Sequence, residues 1–581
     1  MSLPQFDAHG ALFESLGSIA LTLFGEQDRY RLFAEKVWPV LARCREQLAE
    51  CYAGDNGRPG IEPVVLLGVL IFQFLERVPD RQAVEMVKYH LGWKLALHLS
   101  LGDPGFHPTT LVYFRQRLLE HAKSDLAFGA VLQALQQEGL LPKRARQRLD
   151  STHVVAAVAN LSGLECVRET LRLALEELAG ALPEPARPAF WPLLWERYVE
   201  SKLDYRSSAE ALQDNYRQAG ADGLGLLQWL ECMRADLRYG TQVELLAEVF
   251  VQRFTLKENH PEPLEQSEGS AVQSPHDPDA QYAAKGRGKQ RKTWLGYKVQ
   301  VAESLPEESQ PPFVVSIVTQ KATGSDEPGL DQTLDAQAQS GLERPRELYV
   351  DGAYISGPRL QRAAQEGWAL MGPAPASPRR PGVDRLPVEA FNVDIAQRRA
   401  CCPAGHPSGH CSRLQVRETT RVKVFYRFEW RQRCCQSCPL REKCVPAGQK
   451  HRSLIVGEHH EFLQQRRQEQ STEAFQQRMH RRNAIEGTLS ELTRGHGLRR
   501  SRYRGFGKVE LQNLLIGTAC NIKRWLRAVR RELLIKDTQT QAFGVTFRFQ
   551  SLRDRVFGVL AQPFWQSASS WRALPRPFVS T

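Results

Sequence analysis

Two aspartates occur in short apolar segments where a carboxylate could do chemistry. Asp150 lies in segment 149–155, whose pattern is typical of a buried strand, and Asp351 follows segment 347–350 and precedes a glycine. A carboxylate in such surroundings is costly unless it is paired or binds a cation. Ligand-binding groups gather at strand ends in open α/β sheets, so the two aspartates could share one cation. Taken singly, either residue could instead cap a turn.

A third acidic residue, Glu486, lies in a strongly basic part of the chain. Residues 478–508 include nine Lys or Arg and two Glu, a net charge of +7. A helical pattern over 475–492 predicts that Arg482, four residues before Glu486, shares its helix face. Arginine, glycine and aromatic residues are mixed in 494–508, which favours phosphate contacts with base or sugar stacking. A solvated basic face with an i,i+4 ion pair is the alternative.

Seven of the 12 cysteines fall between Cys401 and Cys444. Such a cluster in a chain of cytosolic character indicates a metal site before it indicates disulfides. Three thiolates, those of Cys435, Cys438 and Cys444, are predicted ligands of a structural Zn²⁺, which takes four N or S ligands. Cys402 is the predicted fourth ligand. Its rivals are Cys401, His406, His410, Cys411 and Cys434. Free thiols or a lost site are the alternatives.

The elements around these residues predict the domain order. The predicted parts are a helical N-terminal DNA-binding domain (1–140), a core that carries the three acidic residues (141–370 and 455–535) with a helical insertion (about 160–258), a Cys-rich insertion (371–454) and an unassigned C-terminal tail (536–581). Short helices with tight turns in the first part fit a helix-turn-helix-like module. Its last helix is basic, and the candidate DNA contacts there are Tyr113, Arg115 and Arg117. A plain helical bundle is the alternative.

Composition narrows the class of protein. The chain has 581 residues, 42% hydrophobic and 24% charged, which excludes a collagen-like, coiled-coil-only or wholly disordered protein. A net charge of +12 hints at a polyanionic partner. The most apolar run, 64–75, is too short for a bilayer helix of ~20 residues. The prediction is a bacterial, cytoplasmic and nucleoid-associated protein with no membrane partner and no small-molecule substrate.

Together these segments resemble DDE-class transposases of bacterial insertion sequences, in the branch with a helical N-terminal domain and a cysteine block before the last acidic residue. The resemblance is carried, in chain order, by 149–154 (LDSTHV), 277–280 (DPDA), 294–298 (WLGYK), 349–352 (YVDG), Cys435-x2-Cys438-x5-Cys444 and 483–487 (NAIEG). It covers residues 60–529. It implies an α/β fold, an RNase H-like mixed sheet flanked by helices, with an all-α N-terminal domain, a helical insertion and a small zinc-type insertion.

The resemblance also implies an activity. Asp150 on the first strand, Asp351 at or after the fourth and Glu486 on a late helix would be catalytic and hold two Mg²⁺ (or Mn²⁺). The enzyme would cleave double-stranded DNA at the element's terminal repeats and join the freed ends to target DNA, acting as a homodimer. The long spacings between the acidic residues, 201 and 135 positions, imply the two insertions.

Candidate DNA contacts follow from the same resemblance. Arg482 would contact the scissile-strand phosphate, and His153, near Asp150, would contact substrate. Other candidates in the basic segment are Arg494, Arg499, Arg500, Arg502 and Arg504.

The chain departs from the family's Tyr-Arg-Glu-Lys-Lys signature, in which only Arg482 and the glutamate match. Met479 stands at the Tyr position, and Ser490 and Thr493 stand at the Lys positions. Arg494 and Arg499 are candidates to replace those phosphate contacts.

Two other functions are open at this point. One is an RNase H-like nuclease that cuts without strand transfer. The other is an inactive or domesticated zinc-containing DNA-binding protein without catalysis. Because all three acidic positions are present, decay is not evident in the sequence.

Overall fold

The structure, a computed structural model, describes most of the chain. The described residues are 22–53, 59–204, 206–233, 240–265, 268–286, 288, 291–306, 310–376, 385–417 and 422–560. They form a mixed α/β fold in which an all-helical N-terminal region precedes a mixed sheet. This arrangement confirms the predicted fold class, an RNase H-like core with helical and Cys-rich additions.

Short helices fill the N-terminal region. They are α1 (Arg29–Leu32), α2 (Trp38–Ala42), α3 (Arg45–Ala49), α4 (Pro63–Leu75), α5 (Asp80–Tyr89), α6 (Leu91–Ala96), α7 (Thr109–Glu120) and α8 (Leu126–Gln137). In α4, Pro63 occupies the first turn, where its missing N–H costs nothing, and 12 of the 13 residues are buried. The apolar run is therefore the centre of a helical bundle. Among the described residues, no helix is long and apolar enough to span a bilayer.

A six-stranded sheet forms the core. Its strands are β1 (Gln147–Val155), β4 (Gln281–Lys285), β5 (Lys292–Ser304), β6 (Val314–Lys321), β7 (Glu347–Tyr349) and β8 (Ala369–Met371), in the order β4-β5-β1-β7-β8 with β6 also on β5. β1 runs antiparallel to β5 and parallel to β7. β5 also pairs antiparallel with β6. At Gly296 (φ +151°) a Cβ would lie 2.1 Å from the Val154 carbonyl oxygen, so this close approach of β5 to β1 requires glycine.

A separate helical layer follows β1, as predicted. It consists of α9 (Gly163–Ala181), α10 (Trp191–Trp195), α11 (Ala209–Cys232) and α12 (Thr241–Arg253), and it ends in the hairpin β2 (Phe254–Lys257) and β3 (His260–Pro263). A capping box of Ser162 and Glu165 starts α9. The layer has a hydrophobic core of its own, in which Leu171, Leu226 and Val249 are fully buried. It therefore packs largely on itself.

The remaining helices flank the sheet. They are α13 (Asp326–Gln339), α14 (Gly357–Gln365), α17 (His460–Glu469), α18 (Glu473–Asn483), α19 (Ile485–Ser490) and α20 (Phe506–Leu560). The predicted helical segment 475–492 is helical except at Ala484, where a turn separates α18 from α19. The Arg148 guanidinium donates to the Arg481 carbonyl at 2.9 Å, beside that interruption. A side chain that bonds into a helical ladder is a recognised cause of such breaks.

The Cys-rich insertion is a small mixed layer. It contains β9 (Asn392–Asp394), β10 (Arg399–Cys401), β11 (His410–Arg417), β12 (Val422–Glu429), α15 (Gln432–Gln436), α16 (Arg441–Cys444) and β13 (Ser453–Gly457). β11, β12 and β13 form an antiparallel sheet. Its core includes the fully buried Phe428 together with Trp430, Cys435 and Cys444.

The chain divides into two compact units, each with most of its contacts inside itself. The first extends to Trp525, and the second begins at Leu526. The second part begins within α20, which runs to Leu560. The tail that the sequence left unassigned is thus helical at first, and its last part, 561–581, lies outside the described residues.

Candidate functional site

Asp150 and Asp351 belong to neighbouring parallel strands. Asp150 is the fourth residue of β1 and lies opposite Val301 of β5, and Asp351 comes two residues after the end of β7. Asp351 also caps the short turn that follows, where its Oδ1 accepts from the N–H of Ala353 at 2.9 Å. Strand pairing therefore fixes one carboxylate, and a cap fixes the other.

The carboxylate of Asp150 is only partly compensated. Its Oδ1 accepts from the N–H of Ser151 at 2.7 Å, and its Oδ2 accepts from Arg482 at 3.1 Å. Burial raises the pKa of Asp150; the Ser151 bond and Arg482 lower it, and the charge of Asp351 raises it further. The two aspartates therefore influence each other, and burial outweighs the stabilising contacts.

Glu486 lies on the short helix α19, and its side chain points to solvent. Ile485 and Thr488 on either side of it are buried and attach α19 to the core. The ligand atoms of Asp150, Asp351 and Glu486 do not all lie within 4.8 Å of one another. Arg482 lies on α18 and Glu486 on α19, on either side of the turn at Ala484. Arg482 pairs with Asp150.

A groove of about 900 Å³ adjoins the two aspartates. It is lined by neighbours of both, Ser151 and Ala353 among them, and by residues that sequence reasoning missed. Those residues are Lys285, Trp294 and Lys298. Trp294 and Lys298 belong to the WLGYK segment, which the sequence analysis singled out. The sequence did not reveal the strand pairing that brings this segment beside β1.

His153 and Arg499 lie together in the same groove. The Arg499 guanidinium is 2.8 Å from the His153 Nε2, and the His153 ring centroid is 5.0 Å from that of Trp294. Burial, followed by the charges of Arg499, Lys292 and Lys285, lowers the pKa of His153 to about 4. The imidazole is therefore neutral at pH 7, and it lies in a cationic field that suits a phosphate backbone.

The other predicted arginines of the basic segment divide into two groups. Arg494, Arg500 and Arg504 are exposed and free of ion pairs among the described residues. Arg502 instead stacks on the Phe74 ring at 4.7 Å and donates to the Val78 carbonyl at 2.9 Å. These contacts join the N-terminal helices to the core; Arg502 is nevertheless exposed, and its role as a DNA contact stays a prediction.

The three predicted N-terminal contacts also differ. Tyr113 is 57% exposed on α7. Arg115 is buried, with its guanidinium paired to Asp80 at 2.5 Å and stacked 4.7 Å from the Tyr503 ring, which argues against the prediction that it contacts DNA. Arg117 stacks 4.6 Å from the Tyr52 ring.

The helical insertion is acidic overall, since residues 160–258 carry a net charge of −5.

The predicted zinc ligands surround one small cavity of about 20 Å³. Cys402, Cys435, Cys438 and Cys444 all line it, and so do the rivals His406 and Cys434. The other rivals, Cys401, His410 and Cys411, do not line it. Burial raises the pKa of the Cys444 thiol; Arg452 lowers it and the other three predicted thiols raise it. The four predicted sulfurs thus share one cavity, although their ligand atoms do not all lie within 4.8 Å of one another.

Elsewhere among the described residues, Glu491, His496 and Cys520 have ligand atoms that all lie within 4.8 Å of one another. Lys523 lies 2.9 Å from Glu491, and with Arg524 it outweighs burial and holds the pKa of Glu491 at about 2. Burial raises the pKa of Cys520 to about 12. A neutral thiol and a carboxylate already paired with two cations are poor metal ligands, so we interpret this group as core packing.

Comparison with known protein families identifies two regions of the chain. Residues 401–526 match the family model described as "Transposase DDE domain", and residues 21–117 match "Transposase domain (DUF772)". A search of curated proteins found no match to the chain. The first matched region contains the cysteine block and Glu486, and the second contains α1 to most of α7.

These matches support a DDE-class transposase of an insertion-sequence type, so the resemblance predicted from the sequence is confirmed. They support a polynucleotidyl-transferase type of enzyme whose family acts on DNA and generally uses divalent metals.

Proposed function

We propose that this DDE-class transposase binds the terminal repeats of an insertion sequence and catalyses metal-dependent DNA strand cleavage and strand transfer. The observation that carries the proposal is the pair of aspartates on adjacent parallel strands, one of them raised in pKa by burial and by the other. A partly buried, incompletely compensated carboxylate beside a second one is the arrangement that a cation stabilises.

The residues fit Mg²⁺ or Mn²⁺. Asp150, Asp351 and Glu486 offer hard oxygen ligands only, which these ions prefer. When bound, two such ions activate water or a 3′-hydroxyl and stabilise the leaving oxygen of a phosphodiester. Asp150 and Asp351 would be the central ligands. Glu486, on an exposed short helix, would complete the site as DNA binds.

Arg482 is the candidate for the scissile-strand phosphate. Its Nε is buried without a hydrogen-bond partner, and one terminal nitrogen bonds to Asp150 at 3.1 Å. A guanidinium with an unused donor can take a phosphate oxygen in a charge-assisted bond. Arg499 and His153 would hold the strand in the adjoining groove, and the exposed Arg494, Arg500 and Arg504 would add backbone contacts.

The Cys-rich insertion would hold one structural Zn²⁺ through Cys402, Cys435, Cys438 and Cys444. Soft thiolates around a small closed cavity suit this ion and leave no open position for chemistry. End recognition would fall to the N-terminal helices, with Tyr113 as an exposed candidate. A homodimer would pair the two ends, a proposal that rests on the family alone.

The test is cleavage of supercoiled DNA that carries the element's own terminal repeats, with Mg²⁺ or EDTA. Wild-type protein should nick the repeat ends only with Mg²⁺, and Glu486→Gln should bind the ends without nicking them. Glu473→Gln is the matched control, because it makes the same change at an exposed position on the preceding helix. Tight end binding without cleavage by the wild type would favour a DNA-binding protein without catalysis.

A further inference from the structure

A buried carboxylate connects the strand that carries Asp150 with the helix that carries Glu486. Glu303 on β5 is 0% exposed and lies directly opposite Arg148 on β1. The Nε of Arg148 donates to one oxygen of Glu303, and the hydroxyl of Thr488 donates to the other. Arg148 is two residues before Asp150, on the same face of β1, and Thr488 is two residues after Glu486 in α19. One carboxylate oxygen of Glu303 is therefore hydrogen-bonded to β1, and the other is hydrogen-bonded to α19.

Arg524 on α20 completes this network. It donates to Glu303 at 3.2 Å and to the Thr488 hydroxyl oxygen at 2.7 Å. A third contact joins it to Glu491, 2.9 Å away, in the turn that follows α19. Buried polar networks with every member bonded restrict side-chain rotamers and the elements that carry them.

The short helix α19 depends on such an anchor. It has six residues and runs directly into the π-helical turn Glu491–Gly495, so its position rests on tertiary contacts more than on its own short hydrogen-bond ladder. Asp150, in contrast, lies on a strand that pairs with β5 along its whole length and with β7 at its first two residues. The separation between Asp150 and Glu486 is therefore set by what attaches α19 to the sheet.

We propose that Glu303 and Thr488 are positioning residues that set the separation of Asp150 and Glu486, and with it the affinity of the acidic site for divalent metal. Neither side chain touches the reacting atoms. The proposal rests on the function proposed above, because it concerns the geometry of the same site. According to this proposal, the hydrogen bond between Thr488 and Glu303, two residues along the chain from Glu486, affects how tightly the acidic site binds metal.

Three variants isolate that hydrogen bond. Thr488→Val removes the hydroxyl and keeps the side-chain shape, and Thr488→Ser restores the hydroxyl. Thr333→Val is the matched control: Thr333 is buried like Thr488 and its hydroxyl donates to the carbonyl of Gly329 at 2.7 Å, but it lies on α13.

The measurement is titration of full-length protein with Mn²⁺ alone, followed by the electron paramagnetic resonance signal of the free ion. Thr488→Val should bind Mn²⁺ about 10-fold more weakly than the wild type, the usual cost of losing an outer partner of a metal ligand. Thr488→Ser should recover most of that affinity, and Thr333→Val should match the wild type. Equal Mn²⁺ affinity in Thr488→Val and Thr333→Val would overturn the proposal.

The failure of the two proposals can be told apart. If Asp150→Asn binds Mn²⁺ as well as the wild type does, the acidic metal site itself is absent and both proposals fail. If Asp150→Asn abolishes binding and Thr488→Val leaves it unchanged, only the positioning role fails. Should Thr488→Val not fold, Thr488→Ala and Glu303→Gln carry the same expectation for the Mn²⁺ titration.

Discussion

The two candidate metal sites of this chain are built in opposite ways. The acidic site takes its three carboxylates from two strands and a helix that lie far apart in sequence, and Glu486 is exposed. The cysteine site takes its ligands from one small insertion, and two of them, Cys435 and Cys444, belong to its buried core. Only the acidic site adjoins a large groove lined by cations.

This difference separates catalysis from folding. A site whose ligands come from distant elements, with one in solvent, has room for substrate and depends on the core to align it. A site enclosed by the elements that it joins has no room for substrate, and its metal would contribute to folding. Substitutions in the two sites should therefore fail in different ways.

The largest expected effect is on catalysis. Asp150→Asn should lower cleavage of terminal-repeat DNA at least 100-fold, because a metal ligand supports several kcal/mol of transition-state stabilisation. End binding and zinc content should stay at the wild-type level. Cleavage assays, gel shift and metal analysis of the same preparation check this. Loss of zinc in this variant would show that the acidic site and the cysteine site do not fail independently.

The next effect is on folding of the insertion. Cys438→Ser should lose the bound zinc and make residues 385–457 sensitive to protease, because zinc binding supplies a large share of the folding free energy of such small layers. Cys411→Ser, outside the small cavity, is the control and should keep its zinc. Retained zinc in Cys438→Ser would show that His406 or Cys434 completes the site instead.

The sequence predicted the helices and strands better than it predicted the contacts between them. Strands and helices followed from apolar patterns, and Asp150 and Asp351 could be placed because strand ends are local features. Zinc ligands in one short block are equally local, and the structure brings Cys402 to the same cavity as the other three.

Contacts between segments that are distant in the sequence could not be predicted from local sequence patterns. Arg115 reads as a surface cation on α7, but Asp80, 35 positions earlier, pairs with it in the buried bundle. The break at Ala484 lies beside a hydrogen bond from Arg148, more than 300 positions away. Glu303 looks like one polar residue at the end of a strand, and only the packing of α19 and α20 shows what it holds.

A smaller effect tests how far the acidic site depends on a neighbouring cation. Arg482 lowers the pKa of Asp150, so Arg482→Gln should raise it and shift the acid limb of the cleavage pH profile to higher pH. Cleavage at neutral pH should fall roughly 10- to 100-fold, the cost of one charge-assisted bond. Arg494→Gln, an equal charge change at an exposed position, should leave the pH profile in place. An unshifted profile in Arg482→Gln would mean that Arg482 does not tune Asp150.

The smallest effect concerns the cationic surroundings of the groove. His153 has a folded-state pKa of about 4, below the value of about 6.5 expected when the chain is unfolded. A lowered histidine pKa contributes stability above pH 6.5 that is lost as the pH falls toward 4, because the unfolded chain takes up the proton first.

Wild type should therefore lose about 1–2 kcal/mol more stability than His153→Gln across that interval, a figure reduced from the full shift because the side chain is partly solvated. Urea unfolding at pH 7, 5.5 and 4.5 measures it, with His121→Gln as the exposed control. Parallel stability curves for wild type and His153→Gln would mean that burial and the cations of the groove do not lower the pKa of His153.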